Sequence, residues 1–220
     1  MTPKKTIERI SLYRRIVSNM LNSGKKQAFS HEIAKLAGVK SSQIRHDFMF
    51  IGTNGRANAG YELSELMGHI EEFLTGGELD NYCIVGVGNL GRAILAFFQA
   101  RHQNIVIKAA FDKDQSLKDK IIHGCRCYSI ESANEVIRSE GINLGIISVP
   151  AEQAQSVAQI LLEAGIKGIV NFAPVPLKLR QGIFVENVDL TMYLEKAAFF
   201  TRNVMGARAV DSVEQNIKSV

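Results

Sequence analysis

Tyr82-Cys83-Ile84-Val85-Gly86-Val87-Gly88-Asn89-Leu90-Gly91, followed one helix length later by Ile105-Val106-Ile107-Lys108-Ala109-Ala110-Phe111-Asp112, decides the fold. The order is a buried strand, a glycine turn, a helix and a second strand ending in an acid. Gly86 permits the tight turn, Gly88 lets backbone approach a pyrophosphate, and Gly91 lets the helix pack closely on the strand. Val87, Asn89 and Leu90 complete that loop. Asp112 stands roughly 20 residues beyond the loop, where a carboxylate can accept both hydroxyls of an adenosine ribose. An acid there favours NAD over NADP, because it would repel a 2′-phosphate. The glycine string alone is also compatible with a tight turn in an unrelated α/β protein; strand, helix and acid in register point to a dinucleotide.

Downstream segments continue the alternation. Short strands are expected near Gly124, over 144–149, 167–172 and 182–186, with helices over 132–138 and 152–164. Such alternation builds a parallel sheet wrapped on both faces. Ligands of open sheets lie at the carboxyl ends of the strands, so Gly86, Asp112, Val149-Pro150 and Asn171-Phe172 are expected to border one crevice. A last helix over about 190–205 is unusually apolar, and its Phe199 and Phe200 lie on adjacent faces. It either covers its own domain or exchanges with a second subunit, an economical route to a symmetric dimer.

The first eighty residues differ in character. Residues 1–60 carry 11 Lys and Arg against 3 Asp and Glu, whereas the other 160 carry 15 against 19. A basic module joined to a mildly acidic one suggests that only the first meets a polyanion. Apolar residues recur at helical spacing over 6–22, and Ser30 is expected to cap a short helix over 31–36. Ala37-Gly38-Val39 turns the chain, and Ser41 or Ser42 is expected to cap a third helix through Phe50. Short helix, glycine turn and longer helix is the helix-turn-helix pattern. With Ile44, Phe48 and Ile51 facing the core, Ser42, Gln43, Arg45 and His46 are left near the exposed end that addresses base edges and phosphates. The glycine- and asparagine-rich run 52–60 reads as a wing with Arg56 at its tip and Asn58 beside it.

Composition bounds the rest. The chain has 220 residues, 46% hydrophobic and 22% charged, ordinary for a soluble protein. No apolar run reaches the roughly 18–20 residues that span a bilayer, and no membrane partner is expected. Cys83, Cys125 and Cys127 are odd in number and lack metal-ligand spacing, which suits reduced thiols in the cytoplasm. No metal site and no catalytic residue are expected.

Several strings resemble the Rex family of redox-sensing transcriptional repressors: Leu12-Tyr13-Arg14-Arg15, Gln43-Ile44-Arg45-His46-Asp47, Gly60-Tyr61, Cys83–Gly91, Gly165-Ile166-Lys167-Gly168-Ile169, Asn171-Phe172-Ala173-Pro174-Val175 and Glu186-Asn187-Val188-Asp189. The resemblance covers almost the whole chain. It implies a winged helix-turn-helix over 1–77, a Rossmann-type NAD(H)-binding domain over 78–188, and a swapped C-terminal helix and tail over 189–220. It further implies a homodimer that binds a palindromic operator with NAD+ or no ligand and releases it when NADH binds. By position, Arg45, His46 and the wing near Arg56 contact DNA; Gly86, Gly88, Asn89, Gly91 and Asp112 hold the dinucleotide; Arg15 and Asp189 join a network linking the parts. The chain departs from the family pattern at Phe97 (a tyrosine in that network), at His46 (a lysine) and around Asp112-Lys113-Asp114-Gln115. Three alternatives stay open: a divergent repressor with a weak or different nucleotide response, a repressor answering a CoA-type nucleotide, and an NAD-dependent oxidoreductase with a DNA-binding appendage.

Overall fold

In the computed structural model the described residues are 2–56, 59–76, 80–99 and 105–202. They divide into two compact units, Met1–Leu79 and Asp80–Val220.

The first unit is built on α1 (Lys4–Asn22), whose Ile10, Tyr13, Val17 and Met20 repeat at steps of three and four and form one buried stripe. Strand β1 (Gln27–Ala28) leads into α2 (Ser30–Ala37) and α3 (Ser41–Phe50). Then β2 (Tyr61–Glu62) returns antiparallel to β1, and α4 (Leu63–Thr75) closes the unit. Phe48 of α3 sits at the centre, edge-on to Tyr13 at 5.6 Å and to Tyr61 at 4.9 Å between ring centroids. Ile44 and Phe48 are fully buried and Ile51 nearly so, as their spacing predicts.

The helix starts differ from expectation. Ser30 and Ser41 are already helical, and the extended residues before them are Phe29 and Lys40. Neither serine caps. Instead the Glu32 carboxylate accepts from the Phe29 backbone N–H at 2.8 Å, so the helix start is closed from inside its first turn. A cap residue must lie outside the helix in extended conformation, and a one-residue shift removes both serines from that role.

The second unit is a seven-stranded sheet, ordered β5-β6-β4-β3-β7-β8-β9. Its strands are β3 (Asp80–Val85), β4 (Ile105–Asp112), β5 (Ile121–Ile122), β6 (Cys125–Ser129), β7 (Leu144–Ile147), β8 (Gly168–Asn171) and β9 (Phe184–Asn187). All pairings are parallel except the β5–β6 hairpin at one edge. The last strand begins two residues later than the sequence predicts. Side chains alternate between faces. Cys83 and Val85 meet residues of α6 (Ala133–Ser139) and α7 (Ala151–Ala164) on one face. Ile84, Ala110 and Cys127 meet Ile94 and Leu95 of α5 (Asn89–Gln99) on the other. Cys83, Cys125 and Cys127 are buried free thiols, and burial pushes Cys83 and Cys125 up to about 12. They are thus core residues and unreactive at neutral pH.

Beyond β9 the chain is helical over 190–202. Every residue of that span is exposed, including Leu190, Tyr193, Leu194, Phe199 and Phe200. No helix among the described residues is long and apolar enough to cross a membrane.

Candidate functional site

The exposed face of α3 carries Ser42, Arg45, His46 and Met49. Its opposite side is pinned by a charged cluster that the sequence reading missed. Asp47, only 1% exposed, accepts two bonds from Arg9 of α1, at 2.6 and 2.7 Å. The Tyr13 hydroxyl donates to it at 3.0 Å and the Gln43 amide at 2.9 Å. Burial alone would push the Asp47 carboxyl up; the donors from Arg9, Tyr13 and Gln43 outweigh it and hold the group below the usual carboxylate range. Gln43, expected among the outward readers, is half-buried and spends its amide on this cluster. Arg45 reaches back to Ser30 at 3.4 Å. A lone Asp in a basic helix was the available signal, but its partners Tyr13 and Arg9 lie 34 and 38 residues away.

In the wing, Arg56 pairs with Gly60 through both backbone bonds, so it stands at the base of the terminal turn rather than its tip. Its guanidinium lies 3.6 Å from Glu65 in an exposed ion pair. Asn58 lies outside the described residues. Arg15 is exposed on α1.

In the second unit the glycine loop joins β3 to α5. Gly86 has φ 95, and a Cβ there would stand 2.6 Å from the Ser148 carbonyl oxygen. At Gly91 a Cβ would stand 2.0 Å from the Gly86 carbonyl oxygen, so α5 lies against the turn with no room for a methyl group. At Gly88 a Cβ would meet nothing within 4 Å. That glycine leaves open space, which suits a backbone that a phosphate approaches. Ser148, also unforeseen, donates its hydroxyl to the Gly86 carbonyl at 2.8 Å and ties the loop to the end of β7.

Asp112 ends β4 beside the loop. One oxygen accepts from the Val87 N–H at 2.6 Å and the other from the Asp114 N–H at 2.9 Å. Each oxygen keeps a lone pair for a ribose hydroxyl. A cleft of about 360 Å³ is lined by Gly86, Gly88, Asp112, Val149 and Pro150 together with Lys113, Gln153 and Ser156. Five of the expected residues are therefore brought together. Asn89 is exposed at the start of α5, Leu90 is half-buried there, and Val87 is buried in the core.

Asn171 and Phe172 are not part of the cleft lining. The Asn171 amide donates to the Val175 carbonyl at 2.8 Å and to Asn187 Oδ1 at 2.9 Å, and its oxygen accepts from Ala173 N at 3.1 Å. Fully buried and fully bonded, it fastens β8 to β9 and the following turn. Phe172 packs against the α5 side of the core. Phe97 is 48% exposed on α5, edge-on to Phe98 at 5.2 Å. Asp189 accepts from the Met192 N–H at 3.1 Å and so caps the terminal helix.

A family model described as a putative DNA-binding protein N-terminus matches residues 2–48, and one described as a CoA binding domain matches residues 78–175. The redox-sensing transcriptional repressor Rex of Carboxydothermus hydrogenoformans is 38% identical over 200 residues, spanning 91% of this chain and 96% of that one. The chain belongs to the Rex family. The Rex of Streptococcus mutans is 37% identical, over 90% of this chain and 94% of its own. Among solved structures, the Rex-family repressor RSP in complex with β-NAD+ and operator DNA aligns with a TM-score of 0.86 at 29% identity, covering 96% of this chain and 98% of that one. RSP in complex with β-NADH aligns at 0.83 and 28%, over 96% and 99%.

Proposed function

We propose that this chain is a homodimeric, cytoplasmic repressor that holds palindromic operator DNA with NAD+ or without ligand and releases it when NADH binds. The observation that carries the reading is the union, on one chain, of a helix-turn-helix unit with an exposed basic helix face and a nucleotide loop open at Gly88 and closed at Gly86 and Gly91. In this reading residues 1–77 bind DNA, 78–188 bind the dinucleotide, and 189–220 join two subunits. Ser42, Arg45, His46 and Arg56 meet the operator. Gly86, Gly88, Asn89, Gly91 and Asp112 hold pyrophosphate and ribose, with Val149 and Pro150 along the cleft wall.

The adenosine and pyrophosphate contacts are common to both redox forms, so the nicotinamide end must tell them apart. A ligand moves a two-state equilibrium only by its differential affinity for the two states. The oxidised ring is positively charged; the reduced ring is neutral and more easily buried. Asp189 is the charged group suited to register that difference. The reading is of a sensor rather than a catalyst, because in it Asp112 is spent on backbone N–H groups and the ribose, and Val149 and Pro150 along the cleft wall offer no acid or base. The test is operator binding titrated with each nucleotide. NADH is expected to weaken binding at least tenfold relative to NAD+; equal effects of the two would overturn redox sensing. Coenzyme A, whose 3′-phosphate Asp112 repels, is expected to do nothing.

The terminal helix supports the dimer. It exposes an apolar surface that no other described residue buries, which marks an association site. The sheet face shared by Val170 and Phe184 is itself half-buried to exposed. A swapped helix from a second copy fills such a face. Leu194, 73% exposed, is the test position. Leu194→Asp is expected to turn the dimer into monomers in sedimentation at micromolar concentration while leaving the winged-helix unit folded.

A further inference from the structure

His46 lies on α3 with 78% of its side chain exposed. Its Nδ1 is 3.8 Å from Asp47 Oδ1, outside hydrogen-bond range. That carboxylate is already taken by Arg9, Tyr13 and Gln43. The charged group beside the imidazole is therefore one saturated carboxylate on its own helix. The neighbouring Arg45 is turned to Ser30 of α2, to which it donates at 3.4 Å. No bond holds the ring inward, and it shares the outer face with Ser42, one turn earlier.

Imidazole is the side chain that ordinarily changes charge between pH 5 and 8. A polyanion close by favours its charged form. We propose that His46 makes operator binding proton-linked: the imidazolium adds one ionic contact to the DNA in each half-site, the neutral ring does not, and grip tightens as pH falls toward 6. The inference rests on the DNA-binding reading of α3. Its sign follows from linkage, since a group whose protonated form is favoured in the complex takes up a proton on binding. An added phosphate contact also steepens the salt dependence, by about 0.9 in the log–log slope for each phosphate neutralised.

The experiment uses the full chain without nucleotide and a duplex selected by the wild-type protein from a randomised pool. Fluorescence anisotropy is read from pH 8 to pH 6 at fixed salt. Wild type is expected to gain about tenfold or more in affinity, with a steeper salt slope at the acid end. His46→Lys should bind tightly with a flat profile; His46→Gln should be flat and weaker than wild type at pH 6. A flat wild-type profile, or an undiminished pH dependence in His46→Gln, overturns the proposal. If wild type selects no duplex at all, the repressor reading fails first and takes this one with it.

Discussion

Gly91→Ala is expected to weaken both nucleotide binding and the second unit, because the new methyl carbon would stand 2.0 Å from the Gly86 carbonyl oxygen. Backbone oxygen on a strained turn cannot swing aside as a flexible side chain can. The helix α5 must lift from β3, breaking the contacts of Ile94 and Leu95 with Ile84 and Ala110. Overpacking of this kind costs about 1–3 kcal/mol and occasionally more, which, where the loop must regain its native shape to bind, amounts to about 5- to 150-fold in affinity. Gly88→Ala is the informative contrast. Its methyl group meets nothing in the protein, so the melting temperature should hold while NADH binding falls. Melting curves with and without NADH separate the two. Equal melting of Gly91→Ala and wild type would sink the account of the loop.

Asp47→Ala is expected to unfold or nearly unfold the winged-helix unit and to eliminate operator binding. Removing one partner of a buried, bonded ion pair costs about 3–5 kcal/mol. Arg9 keeps partial access to water, at 25% exposed, which favours the lower end of that range. The Tyr13 hydroxyl, inside a fully buried residue, loses its acceptor as well. In a unit of this size a few kcal/mol is a large share of total stability. Arg9→Met should cost less, since Asp47 retains Tyr13 and Gln43. The same cluster sets an acid limit. The folded carboxyl of Asp47 is held below its unfolded value, so its contribution is complete above the unfolded range near 3.9. It is lost as pH falls through the folded value. Circular dichroism of wild type between pH 5 and 2 should show the first unit losing stability across that window, and Asp47→Ala should lack that component.

The acidic neighbour that pins α3 also explains how the helix can present cations to DNA. With one face spent on Asp47 and its donors, Arg45 and His46 are left outward. Basic charge in the first sixty residues thus has a geometry and not only a sum.

Sequence alone determined whatever is settled within a few residues of itself. The glycine loop and its acid, the helix-turn-helix spacing and the strand–helix alternation are local patterns, because turns and helical repeats are governed by sterics and by bonds three or four residues long. Helix starts slipped by one residue, since extended and helical conformations compete there on small energies. Tertiary structure alone decided the pairings between distant residues. Arg9 with Asp47, Ser148 with Gly86 and Asn171 with Asn187 are 38, 62 and 16 residues apart, and nothing in the intervening sequence specifies them. Asn171 was placed in the cleft by its position at a strand end, yet its amide is consumed by β9 and the following turn. A polar group buried by packing must find its partners wherever the fold brings them, and which partners those are depends on segments closing together in space.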